Sequence, residues 1–92
     1  MESIQRCNAF YRGHVQGVGF RITTQRLAAG HPVVGFVRNL ADGRVELVVE
    51  GSRTHLDEFL ARIADVMVKK ITDVQVQFES PTDEFTSFEI QP

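Results

Sequence analysis

One short segment of the sequence combines glycines with an arginine in a pattern that can bind an anion, and it reads Gly13-His14-Val15-Gln16-Gly17-Val18-Gly19-Phe20-Arg21. Glycine lets the backbone turn sharply and lets its N–H groups approach a ligand closely. A run of such N–H groups forms an anion-binding concavity. Arg21 adds a planar set of donors that suits phosphate oxygens. The residue types therefore favour an oxyanion site and, among oxyanions, phosphate.

The same residues also have a simpler interpretation, in which the glycines serve turn geometry alone and Arg21 is only solvated. Two better-known phosphate motifs do not apply. Gly17 and Gly19 could open a dinucleotide-binding fingerprint, but Ile22 stands where its third glycine is required. No Gly-Lys-Ser/Thr follows, which excludes a nucleotide P-loop. Residue types and spacing alone leave the anion loop and the plain structural turn both open.

Two elements must hold this loop, one on each side. Residues 7–13 are rich in apolar and aromatic side chains, which predicts a strand with Cys7, Ala9 and Tyr11 on one face. From Phe20 onward the apolar period changes to that of a helix. The start of this helix adds unpaired N–H donors and the positive end of the helix dipole to the loop.

The middle of the chain predicts a β-hairpin. Residues 33–40 and 44–50 flank Asp42-Gly43, a dipeptide typical of tight hairpin turns because glycine tolerates positive φ. In the second arm apolar residues alternate with mostly charged ones. That alternation predicts a strand with one apolar face and one mostly charged face.

A second helix and further strands follow the hairpin. Thr54 resembles a helix start, since the acidic residue Asp57 lies three positions after its hydroxyl. Apolar residues then recur at helical spacing as far as Met67. Residues 74–79 alternate between apolar and polar as a strand does, and residues 85–90 can add a short fifth strand.

The predicted element order is βαββαβ, which indicates an α+β fold. Two helices between four strands suit a two-layer sandwich with an antiparallel sheet and both helices on one face. With right-handed crossovers this is the ferredoxin-like arrangement. A chain of 92 residues, of which 42% are hydrophobic, suits one domain spanning residues 1–92 with its own buried core.

The glycine-rich segment as a whole resembles the signature of the acylphosphatase family, whose first block is Gly-x-Val-Gln-Gly-Val-x-Phe-Arg. The family's second block is also matched, by Gly35-Phe36-Val37-Arg38-Asn39 followed by Asp42-Gly43 and Val45. A weaker third match is Glu50-Gly51. The resemblance extends from the first strand to the end of the chain. It departs from the family's frequent Leu-Gly-Leu at Gly30-His31-Pro32-Val33-Val34, which bears on local loop shape.

This resemblance implies a role for each matched residue. The backbone N–H groups of one loop are expected to cradle phosphate, and the loop consists of His14, Val15, Gln16, Gly17, Val18 and Gly19. Arg21 resembles the catalytic arginine that binds the phosphoryl group, and Asn39 resembles the catalytic asparagine that positions the attacking water. The resemblance also implies hydrolysis of the carboxyl–phosphate bond of acyl phosphates, with no metal and no cofactor.

Charge and cysteine content narrow the partners and the compartment. A formal net charge of -2 argues against a nucleic-acid partner. The resemblance implies that the partner is a small-molecule acyl phosphate. Cys7 is the only cysteine, which is compatible with a reducing compartment. The N-terminus has no signal-peptide pattern and no apolar run is long enough to span a membrane. We therefore expect a cytoplasmic monomer, and the scattered histidines predict no metal site.

Two other functions compete with the enzyme. The first is a binding module that holds an acyl phosphate or carbamoyl phosphate for a partner; the end of the chain at Pro92 favours the free enzyme instead. The second is an RNA-binding sandwich of the same topology. It ranks last, because residues 45–49 lack the aromatic side chains on which RNA bases stack.

Overall fold

A computed structural model describes residues 2–92 of the chain. The elements follow in the order β1 (Ile4–Gly13), α1 (Phe20–Ala28), β2 (Val34–Asn39), β3 (Val45–Ser52), α2 (Arg53–Val66), β4 (Ile71–Glu79) and β5 (Phe88–Gln91). β1 and β4 each begin three residues before the predicted start. At both places two of the three added residues are polar or charged, and the strand still pairs there because its partner strand offers backbone hydrogen bonds.

The strands form one sheet in the order β4-β1-β3-β2-β5. The first four in this order pair antiparallel, whereas β5 runs parallel to β2. The predicted α+β ferredoxin-like sandwich is confirmed. The expected fifth strand is present as well, and its parallel direction is an addition to the predicted antiparallel sheet.

One hydrophobic core lies between the sheet and both helices. Cys7, Ala9 and Tyr11 all face it from β1, as the alternation predicted. Phe20 of α1 and Phe59 of α2 are part of the same buried cluster, which places both helices on one face of the sheet. Buried apolar surface of this kind is the main favourable term in folding.

The charged face of β3 is present but is not open to solvent. Glu46 and Glu50 are only 8% and 3% exposed. Residues 80–87, which we call the C-terminal strap, supply backbone N–H groups to Glu50 from Thr82 (2.8 Å) and Asp83 (3.1 Å). The side chain of Asp83 is exposed, but its backbone is anchored to the sheet.

The predicted start of the second helix was wrong by two residues. The N-cap of α2 is Ser52, whose Oγ accepts a hydrogen bond from the backbone N–H of His55. Thr54 already lies inside the helix. Serine is a somewhat better N-cap than threonine, and β3 ends at Ser52, directly before the helix.

Candidate active site

The loop between β1 and α1 has the backbone geometry of an anion site. Gly17 and Gly19 adopt left-handed conformations, with φ of 73° and 78°, which residues with a side chain rarely adopt. Gly19 is the N-cap of α1, and no side chain caps this end. The first intrahelical bond runs from Thr23 N–H to Gly19 C=O, so the N–H groups of residues 20–22 have no partner within the helix.

A cavity of about 160 Å³ opens beside this loop. Its walls come from the loop, from the first turn of α1, from the end of β2 and from β5, and they comprise Val15, Gly17, Gly19, Phe20, Arg21, Ile22, Asn39 and Ile90. The fold therefore brings Arg21 and Asn39 together from two separate elements. A helix N-terminus with unpaired N–H donors and a neighbouring cation can hold an anion.

Arg21 lies in the first turn of α1 without a counterion. Among residues 2–92 it forms no salt bridge, whereas Arg38 is paired with Glu46 (Nε–Oε1 2.6 Å). No acidic residue occupies the first turn of α1 either. The guanidinium of Arg21 is therefore left with its donors available to an anion in the cavity.

Asn39 is the last residue of β2, and its side chain reaches the same cavity. Its Oδ1 is buried and has no hydrogen-bond partner within the described part of the chain. Leaving a buried acceptor without a partner costs roughly 1–3 kcal/mol. Asn39 thus brings an unpartnered side-chain acceptor to the group of residues that line the cavity.

Gln16 belongs to the loop but does not line the cavity. Its Nε2 donates to the backbone carbonyls of Leu40 (2.8 Å) and Arg44 (2.9 Å), which flank the β2–β3 turn. In that turn Asp42 has its pKa lowered, first because the backbone N–H of Arg44 donates to its carboxylate. Gln16 therefore ties the loop to the turn that directly follows Asn39.

His14 and Val18 also lie apart from the cavity walls. The backbone N–H of His14 donates to the carbonyl of Lys70 (2.9 Å), so it is not directed at a ligand. Val18 is half-buried and packs against the hydrophobic core. Of the six loop residues predicted to bind phosphate, the structure places Val15, Gly17 and Gly19 on the cavity wall.

Three cavity residues were missed in the sequence, namely Phe20, Ile22 and Ile90. Phe20 and Ile22 flank Arg21 in the first helical turn, so their closeness to the site could have been inferred from that helix start. Ile90 carries no local signal. It reaches the cavity because β5 adds to the sheet beside β2, where it lies opposite Val37.

Two further features bear on the choice of site. Within residues 2–92, no group of three or more His, Cys, Asp or Glu side chains is placed to hold a metal ion. A larger groove of about 420 Å³ lies between α2 and β4, but its walls are almost wholly aliphatic and hold no charged group for an anion.

No helix in the described part of the chain is both long and apolar enough to cross a membrane.

Fold and cavity together define an α+β sandwich with a cavity beside the glycine-rich loop between its first strand and first helix. Comparison with known proteins identifies the family, because the family model for acylphosphatase matches residues 7–90 of this chain. The acylphosphatase of Synechococcus sp. is 39% identical over 87 residues, which are 95% of this chain and 93% of that protein. The chain belongs to the acylphosphatase family.

Solved structures agree with this assignment. The crystal structure of acylphosphatase from Bacillus subtilis matches with a TM-score of 0.87 and 30% identity, over 96% of this chain and 99% of that one. A structure of full-length HypF, described as phosphate- and nucleotide-bound, matches with a TM-score of 0.79 and 25% identity. It covers 100% of this chain but 12% of HypF. The prediction of an enzyme of the acylphosphatase type is confirmed by these relatives.

Proposed function

We propose that the protein hydrolyses the carboxyl–phosphate bond of a small-molecule acyl phosphate, giving a carboxylate and inorganic phosphate. The observation that carries the proposal is that Arg21 and Asn39 line one cavity beside the open start of α1, and that Asn39 Oδ1 has no hydrogen-bond partner among the described residues. We further propose that it works as a monomer in the cytoplasm. Its single cysteine is free, which is compatible with a reducing compartment.

In the proposed complex the phosphoryl group lies against the glycine loop and the start of α1. The unpaired N–H groups of residues 20–22 and the guanidinium of Arg21 are directed at its oxygens. These donors are fixed by the fold before the reaction starts, so they need little reorganisation as charge shifts in the transition state. They also supply positive charge, so the proposed reaction requires no metal.

Asn39 is proposed to hold the attacking water. Its buried Oδ1 accepts a hydrogen bond from that water, which orients the water oxygen toward phosphorus. As the new P–O bond forms, the bond between phosphorus and the acyl oxygen breaks, and the electron pair leaves with the carboxylate. A carboxylate is a weak base, with a pKa near 4 for its acid, so it needs no general acid to leave.

The proton of the water needs an acceptor other than Asn39, because an amide is not a base near neutral pH. Among the described residues, the cavity walls include no carboxylate and no histidine. We therefore propose that a phosphoryl oxygen of the substrate takes the proton as the water attacks. A pH–rate profile in which a protein group titrates as a base would contradict this step.

The test is the hydrolysis of acetyl phosphate by the protein in EDTA, compared with Arg21→Ala and Asn39→Ala. Each variant is expected to lose roughly 10²–10³-fold in kcat, as loss of a preorganised donor typically costs. Arg26→Ala, in the last turn of the same helix, is the matched arginine control. Asn8→Ala removes the other asparagine with a buried, unpartnered Oδ1, away from the cavity. Both controls should keep wild-type rates.

The binding module is the second candidate, and the HypF match favours it, since there a domain of this fold forms a small part of a larger protein. A binding module would take up inorganic phosphate at the loop, measured by calorimetry, without turning over acetyl phosphate. Turnover in EDTA that depends on both Arg21 and Asn39 would exclude it. Binding without turnover would instead contradict the proposed enzyme.

A further inference from the structure

The groove between α2 and β4 is a separate concave surface that the proposed hydrolysis does not use. Its volume of about 420 Å³ falls within the range of about 300–1,000 Å³ that small-molecule sites occupy. Its walls consist of seven apolar side chains from α2, the following turn and β4, and of one tyrosine from β1. None of these residues lines the cavity beside the glycine loop. The groove is therefore a second place where a ligand can bind.

The groove is open because α2 covers β4 incompletely. Val74 lies opposite Tyr11, which faces the core from β1, and Val76 shares that face of β4. These two valines nevertheless remain 41% and 40% exposed. Opposite them α2 presents the small side chains of Ala61 and Ala64. An aliphatic ligand that removed this apolar surface from water would bind favourably.

Tyr11 has the only polar side chain among the groove walls, and it is 2% exposed. Among residues 2–92 its hydroxyl forms no hydrogen bond, whereas the buried hydroxyl of Thr24 donates to the carbonyl of Phe20 (2.8 Å). Buried polar groups normally have a partner. Burial raises the pKa of the Tyr11 hydroxyl, so the hydroxyl is protonated at neutral pH and can donate. The groove thus borders on a buried donor without an acceptor.

Two positive charges stand at one end of the groove. Lys69 and Lys70 are the only lysines of the sequence, and they lie between the wall residues Val68 and Ile71. Among residues 2–92 neither lysine forms a salt bridge, whereas five arginines do. An anionic group bound at this end would be attracted by both ammonium groups.

The two carboxylates closest in sequence to the lysines are engaged elsewhere. Asp73 alternates with Val74 along β4, so it points to the other face of the sheet, where it lies opposite Arg12. Asp65 of α2 is paired with Arg62 (3.4 Å). The positive charge at this end of the groove is therefore not neutralised by these acids.

Tyr11 belongs to the same end of the groove as the lysines. Gly13, two residues after Tyr11, pairs with Ile71 of β4. The backbone N–H of His14 donates to the carbonyl of Lys70 (2.9 Å), which holds the lysine turn against the end of β1. The groove therefore has one polar, positively charged end and an apolar body.

This arrangement suits an elongated ligand with one anionic end. The walls follow β4 from Ile71 to Val76, a distance of about 17 Å in an extended strand. We propose that the groove binds a free aliphatic carboxylate, whose chain lies between α2 and β4 and whose carboxylate meets the Tyr11 hydroxyl and the two lysines. The inference does not rest on the proposed hydrolysis, since it uses neither Arg21 nor Asn39.

The first experiment is calorimetry of the whole chain with octanoate, octanol and acetate. Octanoate is expected to bind saturably at one site per chain. Octanol keeps the chain without the charge, and acetate keeps the charge without the chain. Each should bind at least about tenfold more weakly than octanoate, because a hydrogen bond to a charged group and a buried alkyl chain each contribute more than that factor.

Variants locate the chain and the carboxylate separately. Ala64→Leu fills the groove from the exposed side of α2 and should weaken octanoate binding at least tenfold. Ala29→Leu adds the same side chain at the exposed C-cap of α1 and should leave it unchanged. Tyr11→Phe should weaken octanoate about tenfold and octanol much less, a difference that a loss of folding would not produce. Replacing Lys69 and Lys70 together by Gln should remove most of the salt dependence of octanoate binding.

Several outcomes would overturn the proposal. Unchanged octanoate affinity in Ala64→Leu would show that the ligand lies elsewhere, and equal affinities for octanol and octanoate would show that the charged end plays no part. Competition by inorganic phosphate would place the carboxylate at the glycine loop instead. A dimer in sedimentation that Ala64→Leu dissociates would assign the groove to a second copy of the chain. Binding to phosphatidylglycerol vesicles without binding of octanoate would assign this surface to a membrane.

Discussion

Gln16 shows how a single side chain can serve the candidate site without touching a ligand. Its two hydrogen bonds, to Leu40 and Arg44, fix the loop relative to the turn that follows Asn39. Arg21 and Asn39 belong to elements that are far apart in sequence, so their separation depends on such cross-links. We therefore expect the Gln16 side chain to position the loop, and the phosphate-binding role that the sequence predicts for its backbone N–H stays a prediction.

Replacing Gln16 should impair turnover more than phosphate binding. Gln16→Glu turns a donor toward two carbonyls into an acceptor, and Gln16→Met only removes the donor. We expect kcat to fall up to about 10²-fold, the scale reported for misplacement of reacting groups by about 1 Å. Steady-state kinetics with acetyl phosphate, beside inhibition by inorganic phosphate, would measure this.

The two Gln16 variants should differ in kcat in an order that a general loss of stability would not produce. Gln16→Glu should be worse than Gln16→Met, because its oxygens face carbonyl oxygens. Gln75→Met, on the exposed part of β4, is the matched control and should be silent. Equal losses in kcat and in phosphate affinity would show that Gln16 supports the binding loop alone.

The sequence predicts which residue types form the site better than it predicts which of these residues the fold brings to the cavity. Arg21 and Asn39 were assigned from motif blocks, and the structure places both at the cavity. His14 stood in the same motif, yet its backbone N–H is used by the carbonyl of Lys70. That contact joins the loop to a segment far along the chain, and local residue patterns contain no information about it.

At the scale of elements, the C-terminal strap is held by a buried carboxylate. Glu50 on β3 accepts hydrogen bonds from Thr82 N–H, Thr82 Oγ1 and Asp83 N–H, and Arg6 lies 3.7 Å away. Hydrogen bonds to a charged acceptor contribute about 1.5–3 kcal/mol each. The strap leads directly into β5, so the anchor also fixes where that strand begins.

Glu50→Gln should loosen the strap while leaving the sheet paired. The amide keeps the size of the side chain but removes its charge, and its NH₂ group replaces one of the two oxygens and so faces the backbone N–H of Thr82 or that of Asp83. We expect a loss of about 2–3 kcal/mol in unfolding free energy. The amides of Thr82 and Asp83 should exchange with deuterium faster than those of β3, as native-state hydrogen exchange would measure.

Glu58→Gln on the exposed face of α2 provides the comparison for a glutamate without this role. It should change the unfolding free energy by less than about 0.5 kcal/mol, as most surface substitutions do. If Thr82 and Asp83 exchange equally fast in Glu50→Gln and wild type, the carboxylate does not anchor the strap.

Element types followed from the sequence, whereas several element ends did not. The hairpin around Asp42-Gly43 and the helical spacing of α2 are local patterns, and both elements were predicted. The cap of α2 fell to Ser52 instead of Thr54, because β3 continues to Ser52 and the helix starts directly after it. Strand pairing, a non-local interaction, set that boundary.

At the scale of the whole molecule, β1 lies between β3 and β4 and places titratable groups in the core. Burial raises the pKa of the Cys7 thiol from about 9 to about 11. Burial likewise raises the pKa of the Tyr11 hydroxyl. In both cases the folded state disfavours the charged form, because the low-dielectric core cannot solvate it.

Stability should therefore decline at alkaline pH. Below about pH 9 the Cys7 thiol is protonated in both folded and unfolded states, so its contribution does not change with pH. Between about pH 9 and 11 only the unfolded state ionises, and the unfolding free energy falls. Urea unfolding at a series of pH values would measure the decline.

Cys7→Ala should flatten that decline, and Tyr11→Phe should flatten the part at higher pH. At pH 8 the native thiol should also react with iodoacetamide much more slowly than the urea-unfolded chain, because little thiolate forms and the side chain is fully buried. A pH dependence that is identical in wild type and Cys7→Ala would show that the thiol does not take part.

The predictable part of the whole fold is the part that hydrophobic patterning encodes. The α+β sandwich follows from which faces of the strands and helices are apolar. The burial of Glu46 and Glu50 could not be inferred, because charged residues are normally assigned to the solvent-facing side. At Glu50 the strap, which hydrogen-bonds to that side of the sheet, reverses the assignment, and Glu46 is paired there with Arg38.

One cavity is lined by residues from early and from late in the sequence, since Val15 and Ile90 both border it. A ribosome makes the glycine loop early and β5 late. While the chain is being translated, the loop can already be shaped, yet one wall of the cavity does not exist until residue 90 has left the ribosome. A nascent chain therefore lacks the complete cavity through most of its synthesis, and the full site forms together with the closing edge of the sheet.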